Sequence, residues 1–139
     1  MKKILSCLLV LVIVLTLLQS VSAAQPDTVT PCYTNAKSLS AYLMIDSSGS
    51  AQVTISCTAN ANVTQVYVAT YLEKKVNGAW TRVDIPSPND VWSYSTTSRK
   101  FTKQYSAQLS GSGEYRAVAT FTLTAATRET VSVYSYASY

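Results

Sequence analysis

No histidine occurs anywhere in the 139 residues. That removes Ser-His-Asp and Cys-His nucleophilic catalysis, the commonest general base and the usual zinc and copper ligands. Charge is scarce as well, at 13% of residues. Past the first three residues no basic run exceeds Lys74-Lys75 or Arg99-Lys100, so the footprint of a nucleic-acid binder is missing. Only seven acidic residues are present. Asp84 and Asp90 flank a proline loop and could share a calcium ion, but turn chemistry explains them more simply. A Ser-Lys dyad would have to draw on Lys37, Lys74, Lys75, Lys100 or Lys103, and abundant serine is an ordinary property of surface strands. No catalytic residue, metal or cofactor is expected, and an enzyme is not.

Long apolar runs are also absent, with one exception at the start. Lys2 and Lys3 precede an apolar stretch from Ile4 to Leu18, and Val21-Ser22-Ala23-Ala24 follows Gln19-Ser20. A basic start, an apolar run and a small-residue exit make the secretory pattern. Cleavage is expected after Ala23 or Ala24. A retained anchor is the alternative on length, but the small residues and polar Gln25-Pro26-Asp27 favour cleavage. The stretch resembles a Gram-positive bacterial signal. The mature chain is thus expected to be secreted, with no membrane attachment and as a monomer.

Removing residues 1–24 leaves 115, enough for one core. Lys2 and Lys3 leave with the leader, so eleven basic residues become nine against seven acidic, a net charge of +2 rather than +4. Of three cysteines, Cys7 departs, leaving Cys32 and Cys57. An even pair in an exported chain reads as a disulfide, worth roughly 3–4 kcal/mol in the loop-entropy account. Two free thiols are the alternative.

What is plentiful is Ser, Thr, Val and Tyr, residues that suit pleated, half-buried surfaces. Alternation of period two recurs. Leu39, Ala41, Leu43 and Ile45 share one face of a first strand. Ala51, Val53, Ile55, Cys57 and Ala59 share one face of the second, which points Cys57 inward. A third strand over about 64–74 carries Val66, Val68 and Leu72 on one side. Val76-Asn77-Gly78 signals a hairpin, since Asn-Gly tolerates positive φ, and 80–83 returns as a strand. The two prolines in 85–90 break regular structure. A long polar strand or strand pair covers 93–109, and Ser110-Gly111-Ser112-Gly113 makes a corner. Tyr115, Ala117, Ala119, Phe121 and Leu123 alternate beyond it, and 131–137 is the final strand. The expected architecture is all-β: a two-sheet sandwich of seven to eight antiparallel strands over 38–139, after an extended segment at 25–37 that carries Cys32. Asn62-Val63-Thr64 matches a glycosylation sequon, a match common by chance.

The segment Gly111-Ser112-Gly113-Glu114-Tyr115-Arg116-Ala117 resembles the immunoglobulin pattern that leads into the sixth strand, with a Gly two residues before a Tyr. Ala117 stands where that pattern has Cys, and Gly111 where it usually has Asp. Together with the hairpin Leu72-x-Lys74-Lys75…Gly78-x-Trp80, it resembles small exported bacterial proteins with one immunoglobulin-like domain. The resemblance implies that Tyr115 is a corner tyrosine whose hydroxyl bonds back to the preceding turn. It implies no catalytic residues and no antibody-type disulfide.

All ten tyrosines lie in the mature chain. If Val66, Val68 and Leu72 face the core, Tyr67 and Tyr71 face outward; Arg116 and Val118 turn out beside Tyr115, and Tyr134 and Tyr136 beside Val133. In an immunoglobulin-like sandwich these strands share a sheet. One exposed face carrying Tyr67, Tyr71, Arg116, Val118 and Tyr134 is therefore expected. Tyr and Arg are favoured at recognition surfaces because each offers a broad amphipathic plane at low entropy cost, although strand propensity alone also places Tyr there. The expected function is a non-enzymatic module that binds a protein or a glycan. A small antimicrobial or toxin-like effector is the alternative.

Overall fold

The computed structural model describes residues 32–139. The expected leader over 1–24 and the first part of the extended segment lie outside the described residues. The rest is two antiparallel sheets built from eight strands. These are β1 (Ala36–Ile45), β2 (Ser50–Ala59), β3 (Gln65–Val76), β4 (Ala79–Arg82), β5 (Trp92–Thr96), β6 (Lys100–Gln108), β7 (Glu114–Thr124) and β8 (Arg128–Ser138). One sheet has the order β1-β2-β6. The other has the order β4-β3-β7-β8, with β5 also paired to β3.

The period-two pattern of the sequence sets which side chains go in. In β2, Ala51, Val53, Ile55, Cys57 and Ala59 are all buried while the residues between them are half-buried or exposed. In β7, Tyr115, Ala117, Ala119, Phe121 and Leu123 are buried to 1% exposure or less. These two rows, with Val66, Val68 and Leu72 of β3, form the dry interior between the sheets. Packing of that kind is the main stabilising contribution in a sandwich. One polar atom is stranded inside it: the Thr70 hydroxyl, which has no hydrogen-bond partner.

Two turns follow directly from residue chemistry. Asn77 (φ 51°) and Gly78 (φ 84°) both take the left-handed conformation, which a two-residue hairpin of matching twist requires, and Val76 pairs with Ala79 across it. At Asp46 the carboxylate accepts hydrogen bonds from the backbone N–H of Ser48 (2.8 Å) and Ser50 (3.0 Å) and from the Ser48 hydroxyl (2.6 Å). These bonds close the β1–β2 turn.

The polar stretch 93–109 is a pair of strands that part company. β5 pairs with β3, and β6 pairs with β2 in the other sheet. The chain changes sheet at residues 97–99. At this seam the inward side chains are aromatic. Trp92 stacks on Tyr105 at 5.0 Å between centroids with planes 4° apart, and Tyr94 meets Phe101 edge-on at 5.1 Å. Lys103, on the same side of edge strand β6, sets its ammonium 4.4 Å from the Tyr94 ring centroid, a cation–π contact.

The expected Cys32–Cys57 bridge is corrected: the two thiols are unbonded. Cys57 points into the core at 2% exposure, opposite Leu39 of β1, whereas Cys32 is exposed before the first strand. Alternation aimed Cys57 inward correctly, and that same orientation sets its sulfur in the aliphatic core while Cys32 stays exposed. Burial pushes the Cys57 thiol pKa up to about 11. The entering segment is tied down by polar contacts instead. The Thr34 and Asn35 N–H groups donate to the two carboxylate oxygens of Glu129 (2.9 and 2.6 Å), and the Asn35 amide donates to the Thr127 carbonyl (3.0 Å).

Candidate functional site

The outer face of the larger sheet is built by β4, β3, β7 and β8, with β5 beside the far half of β3. Strand register arranges it in rows. One row runs Arg82–Glu73–Arg116–Tyr136, and the next runs Tyr71–Val118–Tyr134. Further along the sheet come Ser93–Ala69–Thr120–Ser132 and then Ser95–Tyr67–Thr122–Thr130. The face is thus divided. One end carries aromatic rings interleaved with cations, and the other carries hydroxyls around a single ring.

Arg116 organises the first end. Its Nε donates to a Glu73 carboxylate oxygen at 2.6 Å. Its guanidinium carbon lies 4.5 Å from the Trp80 ring centroid and 5.3 Å from that of Tyr134. Burial alone disfavours the charge, but the contacts to Glu73 and to the Tyr136 hydroxyl outweigh it and hold the guanidinium above the usual arginine range. Arg82 covers one side of Tyr71, 3.4 Å from its ring centroid. Trp80 leans on Tyr136 at 5.8 Å, and Lys75 pairs with Glu114 at 2.7 Å. A hollow of about 430 Å³ opens where Trp80, Lys75, Glu114 and Tyr136 meet.

The five residues expected on this face stand on it, with one correction. Tyr67 and Tyr134 are exposed, at 42% and 49%, and Tyr71 and Arg116 are half-covered. Val118 is not exposed. At 2% it is buried, because Tyr71 and Tyr134 flank it in register on either side and the long Arg116 side chain extends over the same face. It is a floor under the larger side chains. Trp80 and Arg82 belong to the face and were missed. Strand pairing places them there: they alternate on β4 opposite Lys75 and Glu73.

Tyr115 is structural. It is 1% exposed, and its hydroxyl is shared between the Gly111 carbonyl (2.6 Å) and the Ser110 carbonyl (3.2 Å) of the preceding corner.

Two of the residues weighed for chemistry are engaged in local structure. Lys74 donates to the carbonyls of Ser110 and Gly111, both at 3.3 Å. Asp90 accepts the Ile85 N–H at 3.1 Å and so braces the proline loop, while Asp84 is exposed. Among the described residues no group of three or more His, Cys, Asp and Glu side chains is set to hold a metal, and no helix is long and apolar enough to cross a membrane.

The outer face of the smaller sheet offers a contrast. It is surfaced by Gln52, Thr54, Ser56 and Thr58 of β2 with Thr102, Gln104 and Ser106 of β6, and its exposed large apolar side chains are Tyr42 and Met44 on β1. It carries no comparable cluster of rings and cations.

Comparison with known proteins adds no relative: no family model, no curated protein and no solved structure matches the chain.

Proposed function

We propose that this chain is an exported, non-enzymatic recognition module with an immunoglobulin-like fold, which binds a protein or a glycan through the outer face of its larger sheet. The fold assignment is supported by strand order. With β1, β2 and β6 as the first, second and fifth strands of that fold, the pairing β3-β7-β8 matches its third, sixth and seventh, and β4 adds beside β3. The hydrogen bond from Tyr115 back to Gly111 is the second support. Export rests on the leader pattern of residues 1–24.

One observation carries the binding reading. Five rings (Tyr67, Tyr71, Trp80, Tyr134 and Tyr136) and two guanidinium groups gather on one face of one sheet. Strand propensity would scatter tyrosines over both sheets without pairing them with arginines. Aromatic rings and Arg are also the side chains that dominate measured binding hot spots. The guanidinium groups already lie against rings before any ligand arrives, so little conformational entropy is lost on docking.

The test is a cell-surface and glycan binding screen of the fluorescently labelled mature protein against a Tyr67→Ser/Tyr71→Ser variant. Both side chains lie on the outer face, so the variant should keep its circular dichroism and its melting transition. Binding should fall at least tenfold. Equal binding by the two proteins refutes this face.

A further inference from the structure

The hydroxyl-rich end of the same face is closed on one side by the proline loop. Between them lies a hollow of about 590 Å³. Its floor is the Tyr67 ring, the Ala69 methyl and Ser93, and its wall is Pro88, Asn89 and Val91. We infer that this hollow is a binding site for a neutral saccharide. The inference rests on the reading of this face as a recognition surface and narrows it to a ligand class.

Three features point to that chemistry. The first is the absence of charge. No ionisable Asp, Glu, Lys or Arg side chain lines the hollow, so an anionic or cationic ligand finds no partner there. Arg82 reaches the loop, but it is engaged by the Asp90 carbonyl and the Tyr71 ring and does not line the hollow.

The second is the combination of a ring with fixed hydroxyls. Ala69 is the smallest side chain on the outer face of β3, and its shortness makes the floor concave. Ser93 stands beside it in the same row and lines the hollow, while Thr120 and Ser132 continue that row on the far side of β3, outside the hollow. Thr120 and Ser132 share a hydrogen bond at 2.9 Å, and the Tyr67 phenol shares one with Ser93 at 3.1 Å. The Tyr67 and Ser93 hydroxyls each keep further donor or acceptor capacity. A sugar ring presents an apolar C–H face and a rim of hydroxyls, and so needs both a flat ring and neutral polar groups.

The third is pre-organisation of the wall. Asn89 and Asp90 are consecutive non-glycine residues with φ of 54° and 55°. Such a conformation costs of order 1–3 kcal/mol per residue and persists where the surroundings enforce it. Here they do: the Asp90 carboxylate accepts the Ile85 N–H, the Ser87 hydroxyl donates to the Val91 carbonyl at 2.6 Å, and Arg82 donates to the Asp90 carbonyl at 3.4 Å. The Asn89 amide makes no hydrogen bond among the described residues and is exposed at the rim. An amide has both a donor and an acceptor to offer to vicinal hydroxyls.

Affinity electrophoresis through soluble neutral polysaccharides (xylan, mixed-linkage β-glucan, galactomannan and dextran) tests this with the mature protein and three variants. Ala69→Leu fills the hollow from an outward position, and Asn89→Gly removes the amide while keeping the left-handed backbone. Gln104→Ala changes an exposed residue on the outer face of the smaller sheet. At least one polysaccharide should retard the wild type. Ala69→Leu and Asn89→Gly should each weaken that retardation at least tenfold, with melting temperatures checked in parallel, and Gln104→Ala should leave it within about twofold. Retardation by none of the four overturns the saccharide site, as does equal retardation of wild type and Ala69→Leu. If binding to a cell-surface protein persists and is lost on Tyr71→Ser, the recognition face stands and only its saccharide assignment falls.

Discussion

A Cβ on Gly49 would come within 2.7 Å of the Tyr139 hydroxyl oxygen. The last residue of the chain thus lies flat over the β1–β2 turn. Its ring stacks on Tyr115 at 5.9 Å, and its backbone N–H and C=O both bond to Gly113. Gly49 has φ of +80° as well. Gly49→Ala therefore meets both a clash and a backbone penalty, and should lower stability by about 2–3 kcal/mol. Urea unfolding measures it. Removing the Tyr139 side chain in the same background should recover the clash and leave the backbone part.

The corner hydroxyl makes a second case. Tyr115→Phe keeps the ring in the core and deletes the bond to Gly111 and Ser110. Lys74 still donates to both carbonyls, so the loss is that of one hydrogen bond, about 1 kcal/mol, read as a lower urea midpoint with an unchanged slope. A midpoint equal to wild type would show that the hydroxyl holds nothing.

Thr70 should behave in the opposite way. Its hydroxyl is buried at β3 without a partner. Thr70→Val is nearly isosteric and removes an unsatisfied polar atom, so stability should rise by about 1 kcal/mol. Thermal unfolding of the variant checks the sign.

Cys57 and Cys32 should differ sharply toward a thiol reagent. Native protein at pH 8 should expose Cys32 to modification and protect Cys57, whose thiol is kept protonated to about pH 11 by burial. In urea both should react. Because the folded value lies above the unfolded 9.0, the contribution of the neutral thiol to stability is complete below pH 9. It is lost as pH rises through about 11. Peptide mapping of the alkylated sites checks the first point, and urea midpoints between pH 8 and 11, with Cys57→Ala as control, check the second. A disulfide-bonded peptide joining the two in native protein would contradict both.

At the aromatic end, Arg116→Lys keeps a positive charge but loses the planar fork that bonds Glu73 and stacks on Trp80 and Tyr134. It should lower the urea midpoint and quench or shift the Trp80 fluorescence. An unchanged spectrum would show that the stack is not populated.

Much of this molecule was legible in its sequence because period-two alternation is a local property. Each core row of β2, β3 and β7 could be read from its own residues, and so could the Asn77-Gly78 hairpin and the inward aim of Cys57. Pairing is not local. Nothing in residues 93–109 tells that β5 joins β3 while β6 joins β2. That outcome depends on which edges are free once the other strands have assembled. The same blindness explains Val118. Alternation put it correctly on the outer face, but its burial comes from Tyr71 and Tyr134 on neighbouring strands. Trp80 and Arg82 were missed for a related reason: β4 is only four residues long, too short for its alternation to stand out until β3 is laid beside it. The cysteine pairing failed differently. Cysteine parity is an argument about compartment and count, and it carries no information about where the sulfurs point.

Lys103 has a consequence beyond its contact with Tyr94. Strand β6 ends its sheet, and its unpaired edge could template the addition of another chain. A strand arriving there would crowd the Lys103 ammonium and strip part of its water, at a cost no neutral residue would impose. A single inward-leaning cation thus works against runaway polymerisation where the sandwich would otherwise invite it.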